Sequence, residues 1–226
     1  GVDPPFLYFF SFLSFPSLPF PSLPFFLNIE NFGYFNNSLL HIYTYGSITQ
    51  KLTPDQIKIL GGKKEWGITP ADPLGTTVRR ISGIGGDRIV IRNRFTYNPN
   101  MRPNKSILDN VLRSHVKSFS DRFPMLKDIK LSKTWGGHLT LSRNNVAAFG
   151  EIKPGLFSAC CQNGLGTVKG TLHGLAAADL AMRKKTALVE QLLNNPKPKK
   201  LPFKPLTKIA VSSRIKLGEL LAGKEL

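Results

Sequence analysis

The run Asn163-Gly164-Leu165-Gly166-Thr167 follows a short apolar stretch, Leu156–Cys161, and precedes a segment with helical spacing that begins at Val168. Glycines at 164 and 166 let the backbone come close to a ligand. Unpaired N–H groups at a helix start, with the positive end of the helix dipole, favour negative charge at that point. The order strand, glycine loop, helix is therefore suited to stabilising an anion, with Asn163 and Thr167 able to add side-chain hydrogen bonds. Two glycines at this spacing also suit a plain chain reversal, and the motif alone does not choose. The other glycine cluster, Gly83–Gly86, fails as a nucleotide loop: the third glycine of GxGxxG would fall on Arg88, and the cluster joins two strands. No Rossmann phosphate loop or P-loop is recognisable in the sequence. The four histidines are scattered and no CxxC pair is present, so no metal site is expected; Cys160 and Cys161 are adjacent and not expected to bridge each other.

The elements that must hold this loop can be read from periodicity. Leu39–Tyr45 is strand-like and ends at the turn-forming pair Gly46-Ser47. Val78–Ser82 and Arg88–Phe95 read as a hairpin joined by glycines able to take positive φ. Ser106–Phe119 places Ile107, Leu108, Val111, Leu112, Val116 and Phe119 on a helical stripe. Strand candidates follow at Ile129–Leu131, His138–Ser142 and Val146–Phe149, then a Lys153-Pro154-Gly155 turn before Leu156–Cys161. Helical spacing runs through Val168–Leu193 as one long helix, and Ser213–Leu221 suits one more short helix. With 226 residues and 41% hydrophobic content the chain can bury a sizeable core.

The first 27 residues differ in kind. Pro4 to Asn28 carries no charge and repeats FPSLP at Phe15–Pro19 and Phe20–Pro24. Pro16, Pro19, Pro21 and Pro24 each remove a helix hydrogen bond, which argues against a stable spanning helix, and no basic flank or cleavage site marks a signal peptide. The segment reads as a dispensable extension, and a start at Gly1 without an initiator Met reads as a piece of a longer product. Lys and Arg total 31 against 14 Asp and Glu, a net charge of +17 that would attract anionic partners.

The segment from Trp135 to Ala181 resembles the C-terminal signature of D-amino-acid-oxidase-type FAD oxidoreductases. The matching residues are Trp135, Gly137, Gly150, Gly155, Leu156, Phe157, Gly164, Gly166 and Gly174. The segments IYTYGSITQKLTPDQ and WGITPADPLGTTVRRISGIGGDRIVIRNRFTY resemble the substrate-domain sheet of the gamma-glutamylputrescine-oxidase-like branch. The sequence departs from the family at Leu141–Asn144, where many members have Thr-x-Asp, and at Val168, where some carry a carboxylate-binding lysine; here Lys169 stands next door.

The resemblance implies an α+β fold: an antiparallel substrate-domain sheet with packed helices and one long helix after the glycine loop, the Rossmann half being missing. Residues 28–195 would be the substrate domain with the C-terminal flavin-contacting region, and 196–226 a basic C-terminal tail with a short helix. It implies FAD as cofactor, contacted by Asn163, Gly164, Leu165, Gly166 and Thr167, and a small-molecule amine or amino acid as substrate, lined by Trp135, Arg79 and Arg80. Catalytic residues are not identified. The FAD-binding half would be supplied in cis or in trans, and the setting would be cytoplasmic, with no membrane. The rival reading is a basic module in which Lys197, Lys199, Lys200, Lys204 and Lys208 grip nucleic acid or an acidic surface. No RNP-like, KH-like or zinc-finger pattern accompanies those lysines, so no nucleic-acid partner is expected.

Overall fold

The computed structural model describes residues 29–100 and 104–226, so the extension 1–27 lies outside the described residues. In chain order the elements are β1 (Leu39–Thr49), α1 (Pro54–Leu60), β2 (Trp66–Ile68), β3 (Thr77–Ile81), β4 (Arg88–Tyr97) and α2 (Lys105–Arg122). They continue with β5 (Leu131–Ser142), β6 (Ala148–Lys153), β7 (Leu156–Cys160), α3 (Gly166–Ala181), α4 (Ala187–Asn194) and α5 (Lys204–Ala222). The fold is α+β. Strands are ordered β2-β3-β4-β1-β5 in one sheet, and β6 pairs with β7 in a second. The described residues form two compact units: 29–41 with Leu139–Lys204, and Ile42–His138 with Pro205–Leu226.

In the second unit, β3 and β4 form the expected antiparallel hairpin, with Gly86 at φ 80 in its connection. β1 runs antiparallel to β4 on the other side. Strand alternation gives this sheet two different faces. Val78 from β3 and Ile89 and Ile91 from β4 join Leu52, Phe119, Phe123 and Leu126 in the core beneath α2. Tyr43 and Tyr45 of β1 pack against Val111 of α2. The helix buries Val111, His115, Ser118 and Phe119, one stripe at its own period, and starts where Asn104 accepts a hydrogen bond from the Ile107 amide.

Four differences from the sequence reading have physical causes. β1 continues through Gly46 to Thr49, because Gly46 is a close-approach position and not a turn: a Cβ there would stand 2.8 Å from the Trp135 ring. The expected single helix Val168–Leu193 is two helices. The chain leaves α3 through Arg183 at φ 60, and the Thr186 hydroxyl accepts from the Val189 amide to cap α4 afresh. Arg183 is held outside the helix by Glu151, at 2.7 Å. The last helix spans 19 residues, well beyond Ser213–Leu221, since Pro205 near its start forfeits no intrahelical hydrogen bond. Finally, α1 was not foreseen, although Thr53-Pro54-Asp55-Gln56 closes a full capping box.

A buried polar chain links α2 to the sheet. The Ser47 hydroxyl lies 2.7 Å from His115 Nδ1 and 2.8 Å from the Thr134 hydroxyl, while His115 Nε2 lies 3.4 Å from the Asn93 carbonyl. A carbonyl only accepts, so Nε2 carries the proton and Nδ1 accepts from Ser47. Burial pushes the His115 pKa down from 6.5 to about 4, opposed by the Asn93 hydrogen bond and assisted by Arg94.

The folded state therefore keeps His115 neutral, whereas the unfolded chain gains its proton near pH 6.5. The stabilisation is complete above pH 6.5 and is lost as pH falls from there towards 4. That gap corresponds to about 3 kcal/mol. Thermal melts of wild type and His115→Gln across this window should show a markedly flatter pH dependence in the variant. Equal slopes would mean that His115 is not held neutral.

Candidate functional site

The glycine loop lies in the first unit. β7 pairs antiparallel with β6, and the chain then passes through Cys161 at φ 62, Asn163 at φ 52 and Gly164 at φ 83 before α3 begins. Three left-handed residues within four positions turn the backbone sharply, and successive amides in such turns point their N–H groups towards one concavity. A non-glycine residue pays for a left-handed conformation unless its surroundings fix it.

For Asn163 those surroundings are its own side-chain bonds. Its Oδ1 accepts from the Ser142 amide at 2.7 Å and more weakly from the Ser142 hydroxyl at 3.4 Å. Its Nδ2 donates to the carbonyls of Cys161 at 3.1 Å and Val146 at 3.2 Å. One carboxamide thus joins the end of β5, the approach to β6, the exit of β7 and the loop. Cys161 supports the same knot from the buried side, its thiol directed at the Thr140 carbonyl and its pKa pushed up to about 12 by burial. Both cysteines are free thiols.

Beyond the knot the loop is open. Gly164, Leu165, Gly166, Thr167 and Val168 are all exposed. Leu165 occupies the N-cap position with no capping side chain, which leaves the first-turn N–H groups of α3 without a side-chain acceptor. A Cβ built on Gly164 or Gly166 meets nothing within 4 Å. Gly164 needs its glycine for φ; Gly166 does not have a positive φ, so within this chain nothing demands glycine there. What the arrangement offers is a rigidly anchored, sterically open row of donors at the positive end of a 16-residue helix. Asn163 is committed to holding it, and its amide is not available to a ligand.

The other expected residues belong to the second unit and do not all share one face. Arg79 and Arg80 are neighbours on β3, and alternation sends them to opposite sides. Arg80 is 3% exposed and donates to the Gly61 carbonyl at the end of α1, at 2.7 Å, with Asp87 at 3.6 Å. Arg79 is exposed on the face away from α2. Trp135 also lies there, exposed, its indole over Gly46. Arg92 is directly across from Gly46 on β4 and donates to the Thr77 hydroxyl at 3.0 Å; burial lowers its pKa. The sequence reading missed Arg92. Its signal is the alternation in Arg88–Asn93, where Ile89, Ile91 and Asn93 point to the core and Arg88, Val90 and Arg92 to the other side. Among the described residues no group of three His, Cys, Asp or Glu could hold a metal ion.

No protein-family model matches the chain, and no curated protein matches it either. In structure it is similar to glycine oxidase from Geobacillus kaustophilus, with 17% identity and a TM-score of 0.50 over 73% of this chain and 40% of that one. It also matches L-amino acid deaminase from Proteus vulgaris, lacking its specific insertion sequence, at 19% identity and a TM-score of 0.46 over 71% of this chain and 37% of that one. L-proline dehydrogenase from P. horikoshii follows at 19% identity and a TM-score of 0.44, over 69% and 39%. At 17% identity the glycine oxidase likeness establishes the fold, and the chain spans 40% of that protein's length.

Replacing Asn163 by Gly, which tolerates the same φ, removes the knot and leaves the backbone free to keep its path. The expected cost is roughly 2–3 kcal/mol of stability from stranded buried partners, together with faster amide exchange at Ser142. Unchanged exchange at Ser142 would show that the carboxamide does not organise the loop.

Proposed function

We propose that this chain is the substrate-side part of an FAD-dependent oxidoreductase that oxidises the C–N bond of an amine or amino acid, acting with a dinucleotide-binding half carried in cis or in trans. The observation that carries the reading is the uncapped first turn of α3, where the N–H groups of Gly166, Thr167 and Val168 have no intrahelical acceptor; the Leu165 N–H is taken by the Gln162 carbonyl at 3.2 Å. The fold shared with glycine oxidase supports it. When bound, FAD supplies the acceptor for a hydride from the substrate C–H beside the amine.

The loop suits that cofactor by its own chemistry. Its exposed amides are directed where negative charge needs stabilising, and no side chain at Gly164 or Gly166 blocks a flat ring from approaching. Gly166, Thr167 and Val168 would hold the cofactor's pyrimidine edge through backbone N–H groups, with Gly164 and Leu165 lining its approach and Asn163 keeping the loop in shape. On the sheet face away from α2, Trp135, Arg79 and Arg92 are the residues offered for the substrate: an indole for its carbon skeleton and guanidinium groups for a carboxylate. Arg80, buried against α1, takes a structural role. The narrower reading, a gamma-glutamylputrescine-oxidase-like substrate, rests on the sequence segments around β1, β3 and β4.

Alone, the chain should purify colourless, since the sequence shows no phosphate loop for a dinucleotide. Joined to a dinucleotide-binding half, it should gain flavin and be reduced anaerobically by an amine or amino acid. Gly166→Val should then slow flavin reduction by about a hundredfold. Its melting temperature should hardly change, because a Cβ at Gly166 meets nothing in this chain. Lys199→Ala should change neither. A normal reduction rate in Gly166→Val with full flavin content would make the loop a turn and remove the site assignment.

A further inference from the structure

α5 presents an apolar face to solvent. At 100° per residue, Leu206, Ile209, Ser213, Leu217 and Leu220 fall on one side, with Leu221 at its border. The five bulky side chains among them are exposed, Leu220 at 78% and Leu221 at 72%. The opposite side holds the helix in its unit: Thr207 and Ala222 are buried, and Gly218 sits against Leu74. A patch of this size, turned to water, marks an interaction surface.

The charges around the face identify what it fits. Lys216 and Arg214, both exposed, border the stripe on its two sides, and Lys224 is exposed just past the helix end, whereas Lys204 and Lys208 fall on the opposite side. The one acid of the helix, Glu219, is turned inward and bound to Arg94 at 2.9 Å. Arg94 reaches it because it is the extra residue of a β-bulge. Thr44 pairs with Phe95 and Tyr45 with Asn93, leaving Arg94 between them at φ 63. The outward surface is thus apolar at its centre and purely cationic at its edges, on a chain of net charge +17. The exposed apolar stripe on α3, through Val168, Leu172 and Leu175, has no comparable cationic border: Lys169 and Asp179 are the only charged residues of that helix.

We infer that α5 is a membrane-surface helix: it lies flat on an anionic lipid bilayer, its leucines and Ile209 in the boundary between headgroups and acyl chains and its flanking Lys216 and Arg214 against lipid phosphates. No described helix is long and apolar enough to cross a membrane, and an in-plane helix does not need to be; amphipathicity and basic flanks are what it needs. Residence at a lipid surface is independent of the flavin chemistry proposed above.

Flotation of the full chain with vesicles tests it. The chain should float with phosphatidylcholine vesicles containing phosphatidylglycerol and stay behind with phosphatidylcholine alone or in high salt. Leu217→Asp combined with Leu220→Asp, both at exposed positions, should leave the thermal melt unchanged and weaken vesicle binding by about a hundredfold. Arg214→Gln combined with Lys216→Gln should weaken it by about tenfold. Leu220→Trp supplies a direct reporter, whose emission should move to the blue on adding the anionic vesicles. The inference fails if the aspartate pair binds vesicles as well as wild type does, because another segment then carries the binding. It fails equally if the Leu220→Trp emission does not move, or if the face drives self-association that the aspartate pair abolishes while no vesicle binding is seen.

Discussion

The Asn163 carboxamide is the contact on which the candidate site depends. It is the only side chain described here that bonds at once to the end of β5, the approach to β6 and the exit of β7. Its left-handed backbone also starts the turn into α3. Asparagine tolerates that conformation better than most residues, and here its bonds to Ser142, Cys161 and Val146 hold it there. With the turn fixed from behind by a half-buried side chain, the front of the loop needs no side chains of its own. Gly164–Val168 can stay exposed and uncapped and still be held in place, which is the condition for a row of amides to act as a preformed electrostatic surface.

The sheet of the second unit solves a different problem with the same economy. One face is closed by α2 through aromatic and aliphatic packing and by the Ser47, His115 and Asn93 chain, whose neutral histidine ties the helix to the strands. The other face keeps Trp135, Arg79 and Arg92. Glycine at 46 lets the indole of Trp135 lie down on β1, and glycine at 136 leaves room for Tyr43 and Tyr45, whose rings would stand 3.0 and 3.1 Å from an added Cβ. Both glycines serve close packing within strands, and both sit where local propensity favours a break.

That conflict explains where the sequence was legible. Periodicity revealed the β3 and β4 hairpin and the α2 stripe, because there the apolar pattern and the buried face coincide. Gly46 read as a turn since the partner it accommodates, Trp135, is 89 positions away in the chain and invisible to local reasoning. The join between α3 and α4 was hidden for the opposite reason: no glycine or proline stands between Ala181 and Thr186 and apolar residues resume at once beyond it, so only the Arg183 bond to Glu151 and the Thr186 cap reveal the break. In the site, the glycine loop was legible from its place between strand and helix. The role of Asn163 was not, because a surface-type residue in a loop gives no sign that all its bonds turn inward. Arg79 and Arg80, adjacent in sequence, read as a pair, though the two-residue period of a strand already separates them; the same period picks out Arg92.

The central claim is that the loop from Gly164 to Val168 is the surface that meets the flavin. Hydrogen–deuterium exchange resolved to single amides, on the chain joined to a dinucleotide-binding half with and without bound FAD, tests it directly. The account predicts that FAD slows exchange at Gly164, Gly166, Thr167 and Val168 and leaves Lys197, Lys199 and Lys200 unaffected. Exchange at these four amides that is identical with and without FAD, in an assembly that demonstrably holds the cofactor, would contradict it.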